Sequence, residues 1–460
     1  MCPRNFIHMN AKTRFHSCWL ALAVAMGGAS SAQAMHAGIQ DDDANDVSNS
    51  SYFDTSPYLL GDWGGARTRL ADKGVSFQFG WVNEAANNFT GGNRRTARNT
   101  GQLTLGTTLD LDKLWGWKGG TFQFTMTDRY GRNLNADAGL GANQLTQEVY
   151  GRGQTWWLTQ LWFEQAFFNG RLSLRLGRMP VGSDYGYADC DFQNLTFCGS
   201  QAGNIVGSYW MNWPVSQWAA RIKFKTTDTT YVQFAAYQVN PKYADQSWER
   251  HNAWKINNPG GTQGALMPLE FGWTPTYKSL PGQYKFGIYY SNAGGSDLYL
   301  NQNYQPIAID GGQALHRKGS YGGYLSMKQQ VTGTADGQGT TLFLNIARAD
   351  RNTAQTDAQY SLGVQYKGIF SRPNDAVGLA VGTSHSSNYY ASYARLYNAT
   401  HPGTHLIAGG GYEKVAELYY QWSPVGAVQI RPNLQYVADP GGSNENRNIF
   451  LIGVKSVVNF

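Results

Sequence analysis

From Val75 onward, apolar and polar positions alternate with a period of two, in runs broken by Gly, Asn, Asp and Pro. Between Phe122 and Tyr130, Phe122, Phe124 and Met126 alternate with Gln123, Thr125 and Thr127. Leu172, Leu174 and Leu176 likewise oppose Arg171, Ser173 and Arg175, and Ala220, Ile222 and Phe224 oppose Arg221, Lys223 and Lys225. The pattern recurs over 284–290, 324–328, 342–346, 362–366 and 428–436. Successive side chains of a strand point to opposite faces, so each run predicts a strand with one apolar and one polar face. Upstream, Gly61 to Gly74 carries a capping-type Asp62, a short amphipathic pattern and a terminal glycine, which predicts one short helix.

The same alternation would suit a soluble sandwich. Two features favour a membrane barrel. The polar faces carry Arg175, Arg221, Lys223, Lys225, Lys328, Lys367 and Arg431, which suits a wet interior, and tryptophan and tyrosine cluster near strand ends at Trp115, Trp117, Trp156, Trp157, Trp210, Trp213, Tyr419, Tyr420 and Trp422. Composition agrees: 42% hydrophobic residues, 14% aromatics and 55 glycines come without an apolar run of 18 residues after residue 34, so the chain does not cross a bilayer as helices. In the last run Phe450, Ile452, Val454, Ser456, Val458 and Phe460 share one face, and an aromatic residue closing such a strand is similar to the assembly signal of bacterial outer-membrane barrels. At about ten residues per strand plus loops, residues 75–460 accommodate an even count near 16. The expected fold is all-β: a transmembrane antiparallel barrel preceded by a short periplasmic helix. The gaps over 133–153, 184–206 and 240–266 are expected to be extracellular loops or inward-folded constriction segments.

The N-terminus reads as a secretory signal over residues 1–34, with Arg4, Lys12 and Arg14, a short apolar core from Trp19 to Met26, and small residues ending at Ala34. The core is too short for a membrane anchor. Losing it lowers the formal charge from +6 to +3, because it holds three basic residues and no acid. Residues 35–57 form an acidic tail expected to be disordered, 58–74 the short helix, and 75–460 the barrel. No basic run or aromatic-basic module points to nucleic acid. Cys190 and Cys198, placed by export in an oxidising compartment, read as one structural disulfide; a zinc site is the poorer reading without a Cys-x-x-Cys pair. No Gly-x-Ser-x-Gly, His-Glu-x-x-His or P-loop is present, and the histidines are scattered, so neither an enzyme nor a cofactor or metal is expected.

Several long strings are family-like: LLGDWGGARTRLADKGV at 59–75, GRGQTWWLTQLWFEQAFFNGRLSLRLGRMPVGSDY at 151–185, CDFQNLTFCGSQAGN at 190–204, YWMNWPVSQWA at 209–219 and RPNLQYVADPGG at 431–442. In this order they resemble the OprB family of carbohydrate-selective porins, from about Pro57 to Phe460. The resemblance implies a barrel of about 16 strands whose narrow zone of arginines and acids passes monosaccharides, glucose above all. A sugar filter wants arginine and carboxylate pairs beside aromatic platforms, since sugars carry hydroxyls of both polarities and apolar ring faces. The candidate constriction residues are Glu84, Arg129, Arg132, Arg152, Trp156, Glu164, Arg175 and Arg178. In 156–164, parity groups Trp156, Gln160, Trp162 and Glu164 on the inward side. Arg67 and Arg69 are expected to pack at the periplasmic end. The alternatives are a general porin for small polar or anionic solutes such as gluconate, and an outer-membrane barrel enzyme. Expected partners are sugars, outer-membrane lipid and lipopolysaccharide, and the barrel-assembly machinery through Phe460, with a monomer and a homotrimer both open.

Overall fold

The computed structural model describes residues 56–460 apart from 405 and 408; the expected leader and the tail up to residue 55 lie outside the described residues. Sixteen strands make the barrel: β1 (Val75–Thr90), β2 (Ala97–Asp110), β3 (Gly120–Gly131), β4 (Trp156–Phe167), β5 (Leu172–Met179), β6 (Gln217–Lys225), β7 (Thr230–Val239), β8 (Gly264–Trp273), β9 (Leu280–Ser291), β10 (Ser320–Gln330), β11 (Gly339–Ala349), β12 (Thr356–Lys367), β13 (Ala376–Ser386), β14 (Tyr412–Val425), β15 (Val428–Ala438) and β16 (Ile449–Asn459). Each pairs antiparallel with its chain neighbours, and β16 returns to β1 with Gly80 opposite Asn459 and Glu84 opposite Lys455, so no edge is left open. Closure satisfies every ladder hydrogen bond internally, as a hydrocarbon surrounding requires.

The two faces divide as the alternation predicts. Leu176, Phe286, Ile288 and Leu362 are half or more exposed on the outside. An apolar band of this extent is stable only against lipid. Inside, β2, β3 and β12 present buried Gln102, Thr104, Gln123, Thr125, Gln359 and Ser361. One end of the barrel has short connections such as 168–171, 226–229 and 426–427; the other carries the long segments 132–155, 180–216, 240–263, 292–319 and 387–411. That asymmetry is the outer-membrane pattern, with short periplasmic turns and long extracellular loops.

The helix before the barrel spans Ala66–Asp72, shorter than the segment 61–74 suggested. Gly64 and Gly65 hold φ of +64° and +85°, a left-handed turn that delays helix entry until Ala66. Arg67 then reaches the short-turn end: its Nη2 donates to the Phe460 carbonyl at 2.6 Å, and its guanidinium lies 3.7 Å from the Tyr58 ring centroid and 4.4 Å from that of Trp63. Trp63 packs in turn on Phe77 and Phe79 of β1. Arg69 stays exposed and donates to the Gly64 carbonyl.

Candidate functional site

The lumen is narrowed by the segment 180–216, which folds inward and follows the inner wall. Tyr185 packs edge-on against Tyr237 of β7, and the Gly186 amide donates to Glu270 of β8 at 2.8 Å. The Tyr187 carbonyl accepts from Lys285 of β9, Asp189 pairs with Lys328 of β10 at 2.5 Å, and Asp191 meets Gln365 of β12 and Arg431 of β15. The amides of Gln193 and Asn194 both donate to Glu417 of β14, at 2.7 and 2.8 Å, and the Phe192 carbonyl accepts from Lys455 of β16. Residues 185–194 thus touch β7 to β10 in turn and then β12 and β14 to β16, forming a belt along the far wall. Phe192 adds an apolar anchor, 4.9 Å from the ring of Tyr419 and 5.8 Å from that of Phe343. Gly453 of β16 leaves room for this approach: a Cβ there would lie 2.7 Å from both Gln193 and Asn433. Cys190 and Cys198 are disulfide-bonded within the belt.

On the near wall, Arg175 of β5 and Arg221 of β6 stand directly opposite in register. Like charges placed so repel unless carboxylates intervene. Two do: Arg175 donates to Glu164 at 2.5 Å and to Asp184 at 2.9 Å, while Arg221 donates to Asp184 at 2.9 Å and to Glu164 at 3.0 Å. Asp184 belongs to the belt, so this quartet both closes the near wall and fixes where the belt begins. Burial pushes the Asp184 carboxyl upward, but the two guanidiniums outweigh it and hold it below the ordinary carboxylate range. Asp191 is treated the same way by Arg431 and Lys328. Trp162 lies beneath Arg175, its ring centroid 4.0 Å from the guanidinium carbon. Beside the quartet opens a cavity of ≈ 470 Å³ lined by Arg175, Arg221, Tyr187, Gln283 and Lys285 among others.

The predicted residues separate into three groups. Glu84, Arg129, Glu164 and Arg175 point inward from the wall. Glu84 accepts the Val149 amide and pairs with Lys455, which also pairs with Glu148; Arg129 donates to Gln102 and to the Gly151 carbonyl. Arg152 is buried between inward segments, donating to the carbonyls of Gly207 and Trp210, and Arg132 sits exposed at the long-loop rim against Asp137. Trp156 and Arg178 face outward, which corrects their sequence reading.

A register shift in β4 opposite Thr125 and Met126 places one extra residue, Thr159, so parity inverts upstream of it: Trp157 turns inward and Trp156 outward with Leu158. Arg178 has the parity of Leu174 and Leu176. It escapes lipid because the segment 240–263, with the helix Gln246–Asn252, folds over this part of the outer wall, setting Glu249 3.7 Å from Arg178 and packing Trp254 at a tilt against Trp156. Alternation over 171–178 signalled which side Arg178 takes, whereas nothing local signals the cover.

Sequence reasoning missed Asp184, Asp191, Glu270, Glu413, Glu417 and Lys455 as anchors. Glu413 accepts from the amides of Asn143 and Gly441, and Glu270 also accepts from Tyr231, Gln233 and Tyr324. Strand parity was the available signal, since Glu413 and Glu417 share the inward face of β14 with Tyr419.

The profile of the carbohydrate-selective porin, OprB family matches residues 94–460. The chain belongs to this family. It is 39% identical to Porin B of Pseudomonas aeruginosa over 98% of this chain and 99% of that protein, and 32% identical to the putative porin QuiX of Acinetobacter baylyi over 90% and 95%. Its fold is similar to the high-pH structure of Pseudomonas putida OprB, at 39% identity, with a TM-score of 0.85 over 89% of this chain and all of that one. The 16-stranded barrel is therefore a carbohydrate-selective outer-membrane porin, a channel rather than an enzyme. A porin conducts by weak, reversible contact, favourable enough to admit a solute and loose enough to release it.

Proposed function

We propose that this porin passes monosaccharides through the gap between the belt and the near wall, with Glu164, Arg175, Asp184 and Arg221 as the polar contacts and Trp162 and Tyr187 as ring-facing surfaces. The charge balance of the quartet carries the reading: two guanidiniums against two carboxylates offer a sugar hydroxyl both donors and acceptors without attracting either ion. Arg129 and Glu84 act one layer away, holding the segment 132–155 to the wall. The last strand, with its outward row from Phe450 to Val458, is the part of the barrel offered to the assembly machinery, and residues 1–34 are the export signal removed beforehand.

Liposome swelling with glucose, a disaccharide, a neutral amino acid and gluconate tests the proposal. Glucose is expected to enter fastest, and Arg175→Ala or Glu164→Ala to reduce that preference. Sieving by size alone, unchanged in both variants, would replace it with a general porin for small polar solutes.

A further inference from the structure

The basic residues of the near wall continue past the quartet. Inward positions of β6 recur every second residue, so Arg221 is followed by Lys223 and Lys225 toward the short-turn end, and Arg171 lies beside Lys225, whose amide donates to the Arg171 carbonyl at 2.8 Å. Unlike Arg221, neither lysine forms an ion pair among the described residues. Lys223 Nζ rests 3.9 Å from the centroid of the Tyr231 ring. Lys285, across the same ≈ 470 Å³ cavity, spends its ammonium on the Tyr187 carbonyl at 3.0 Å. Asp228 in the β6–β7 turn lines the cavity as well and is the single carboxylate there without an arginine partner. Below, a second opening of ≈ 580 Å³ shares Lys225 and Asp228 and adds Arg171. The channel therefore changes character along its axis, from balanced charge at the belt to excess positive charge beneath it. The cavity lies within the volume range that small ligands occupy, and Gln283 and the tyrosine hydroxyl add uncharged polar groups for a polyol.

We infer that the periplasmic side of this cavity, next to the quartet, holds a second solute site that takes a polyhydroxylated carboxylate through Lys223 and Lys225. The inference rests on the sugar-channel reading and extends its substrate class from neutral sugars to sugar acids. A solute carboxylate about 8 Å from both ammoniums in a water-filled lumen gains about a four-fold preference from the pair at about 0.01 M salt, falling to about two-fold at about 0.1 M.

The test uses the mature chain in planar bilayers, with gluconate titrated from the short-turn side against chloride current, and liposome swelling with glucose as the control. Gluconate is expected to reduce the chloride current, with an apparent affinity at about 0.01 M salt about four-fold lower in K223Q/K225Q than in wild type. K223R/K225R is expected to behave as wild type, and glucose entry to stay within about two-fold in all three proteins. Equal inhibition of wild type and K223Q/K225Q, or none in wild type, would overturn the site. Should the Gln pair fail to fold, wild-type inhibition between 0.01 and 1 M salt decides: it must weaken about three-fold as the Debye length shrinks from about 30 to 3 Å, and salt-independent inhibition overturns the site equally. Absence of glucose entry in wild type would instead strike the channel reading itself.

Discussion

Replacing Asp184 with Asn isolates what the quartet contributes. The carboxylate Oδ1 accepts from Arg175 and Arg221, both at 2.9 Å, and all three side chains are largely buried. A hydrogen bond with an ionised partner contributes about 1.5–3 kcal/mol, roughly twice a neutral one, and a neutral acceptor keeps only the guanidinium's share of that charge. The amide keeps its oxygen in place, so the two bonds together weaken by about 1–4 kcal/mol, a five-fold to nearly thousand-fold rise in local opening of the belt's first turn. Hydrogen exchange at Tyr185 and Gly186 reads this directly, because the Gly186 amide is held by Glu270 only while the belt lies against the wall. The substitution also leaves two guanidiniums sharing Glu164, so the zero-current potential in a salt gradient should move toward chloride selectivity. Because the Asp184 carboxyl titrates below its ordinary value, its contribution is complete above the unfolded-state pKa of 3.8 and is lost only as pH falls through the lower folded-state value. Wild-type glucose entry should therefore show no dependence on this group between neutral pH and about pH 4. Unchanged exchange and unchanged selectivity in Asp184→Asn would refute the quartet as the clasp of the belt.

Three further outcomes follow from the same geometry. Cys190→Ser with Cys198→Ser removes a cross-link spanning a separation of 8 residues, worth about 2–3 kcal/mol of chain entropy, so the belt should become protease-sensitive while the barrel still migrates as a folded band. Glu249 has its pKa pushed up to about 7 by burial, which Arg178 only partly offsets; its protonated form suits the folded segment, so the outer cover should be tightest below pH 4.5, lose about 3 kcal/mol as pH rises to about 7 and level off above, a dependence that limited proteolysis would show and Glu249→Gln should abolish. Arg67→Ala removes the bond to the Phe460 carbonyl and two ring contacts, and should lower barrel stability by about 1–3 kcal/mol, read as an earlier loss of the folded band on heating.

Local patterning made the wall readable and left the interior obscure. Alternation in 171–178 and 220–225 assigned Arg175, Arg221 and Lys223 to the lumen because side-chain parity is fixed by backbone geometry alone. The same rule misassigned Trp156, since one bulge at Thr159 inverts everything upstream and leaves no compositional trace in a run as aromatic as TWWLTQLW. The belt was legible only as a gap in the alternation. Its path depends on partners hundreds of residues away, such as Gln193 on Glu417 and Asp191 on Arg431, and no periodicity encodes a contact of that range.

The manner of anchoring follows from what a channel must avoid. A belt crossing a wet lumen cannot rely on apolar burial along its whole length, because an oily wall would fill the passage or lose its water. Its backbone amides still need acceptors, and a buried amide without one costs about as much as a lost hydrogen bond. Wall glutamates answer that need: Glu270 takes the Gly186 amide and Glu417 those of Gln193 and Asn194, while Glu84 and Glu413 do the same for Val149 and Asn143 of the inward segment 132–155. Each is buried, and each projects from a strand whose register is locked by closure of the barrel. A carboxylate accepts several donors at once, so one side chain can fix two successive peptide units, which a single glutamine oxygen does less strongly. The lysines and arginines among these acids, Lys455 between Glu84 and Glu148 and Arg431 beside Asp191, keep the wall near neutrality as it grips the belt. On the proposed reading, selectivity for an uncharged solute and rigidity of the constriction draw on the same residues: the acids that hold the belt are balanced by the bases that face it, whereas below the belt Lys223 and Lys225 form no ion pair among the described residues.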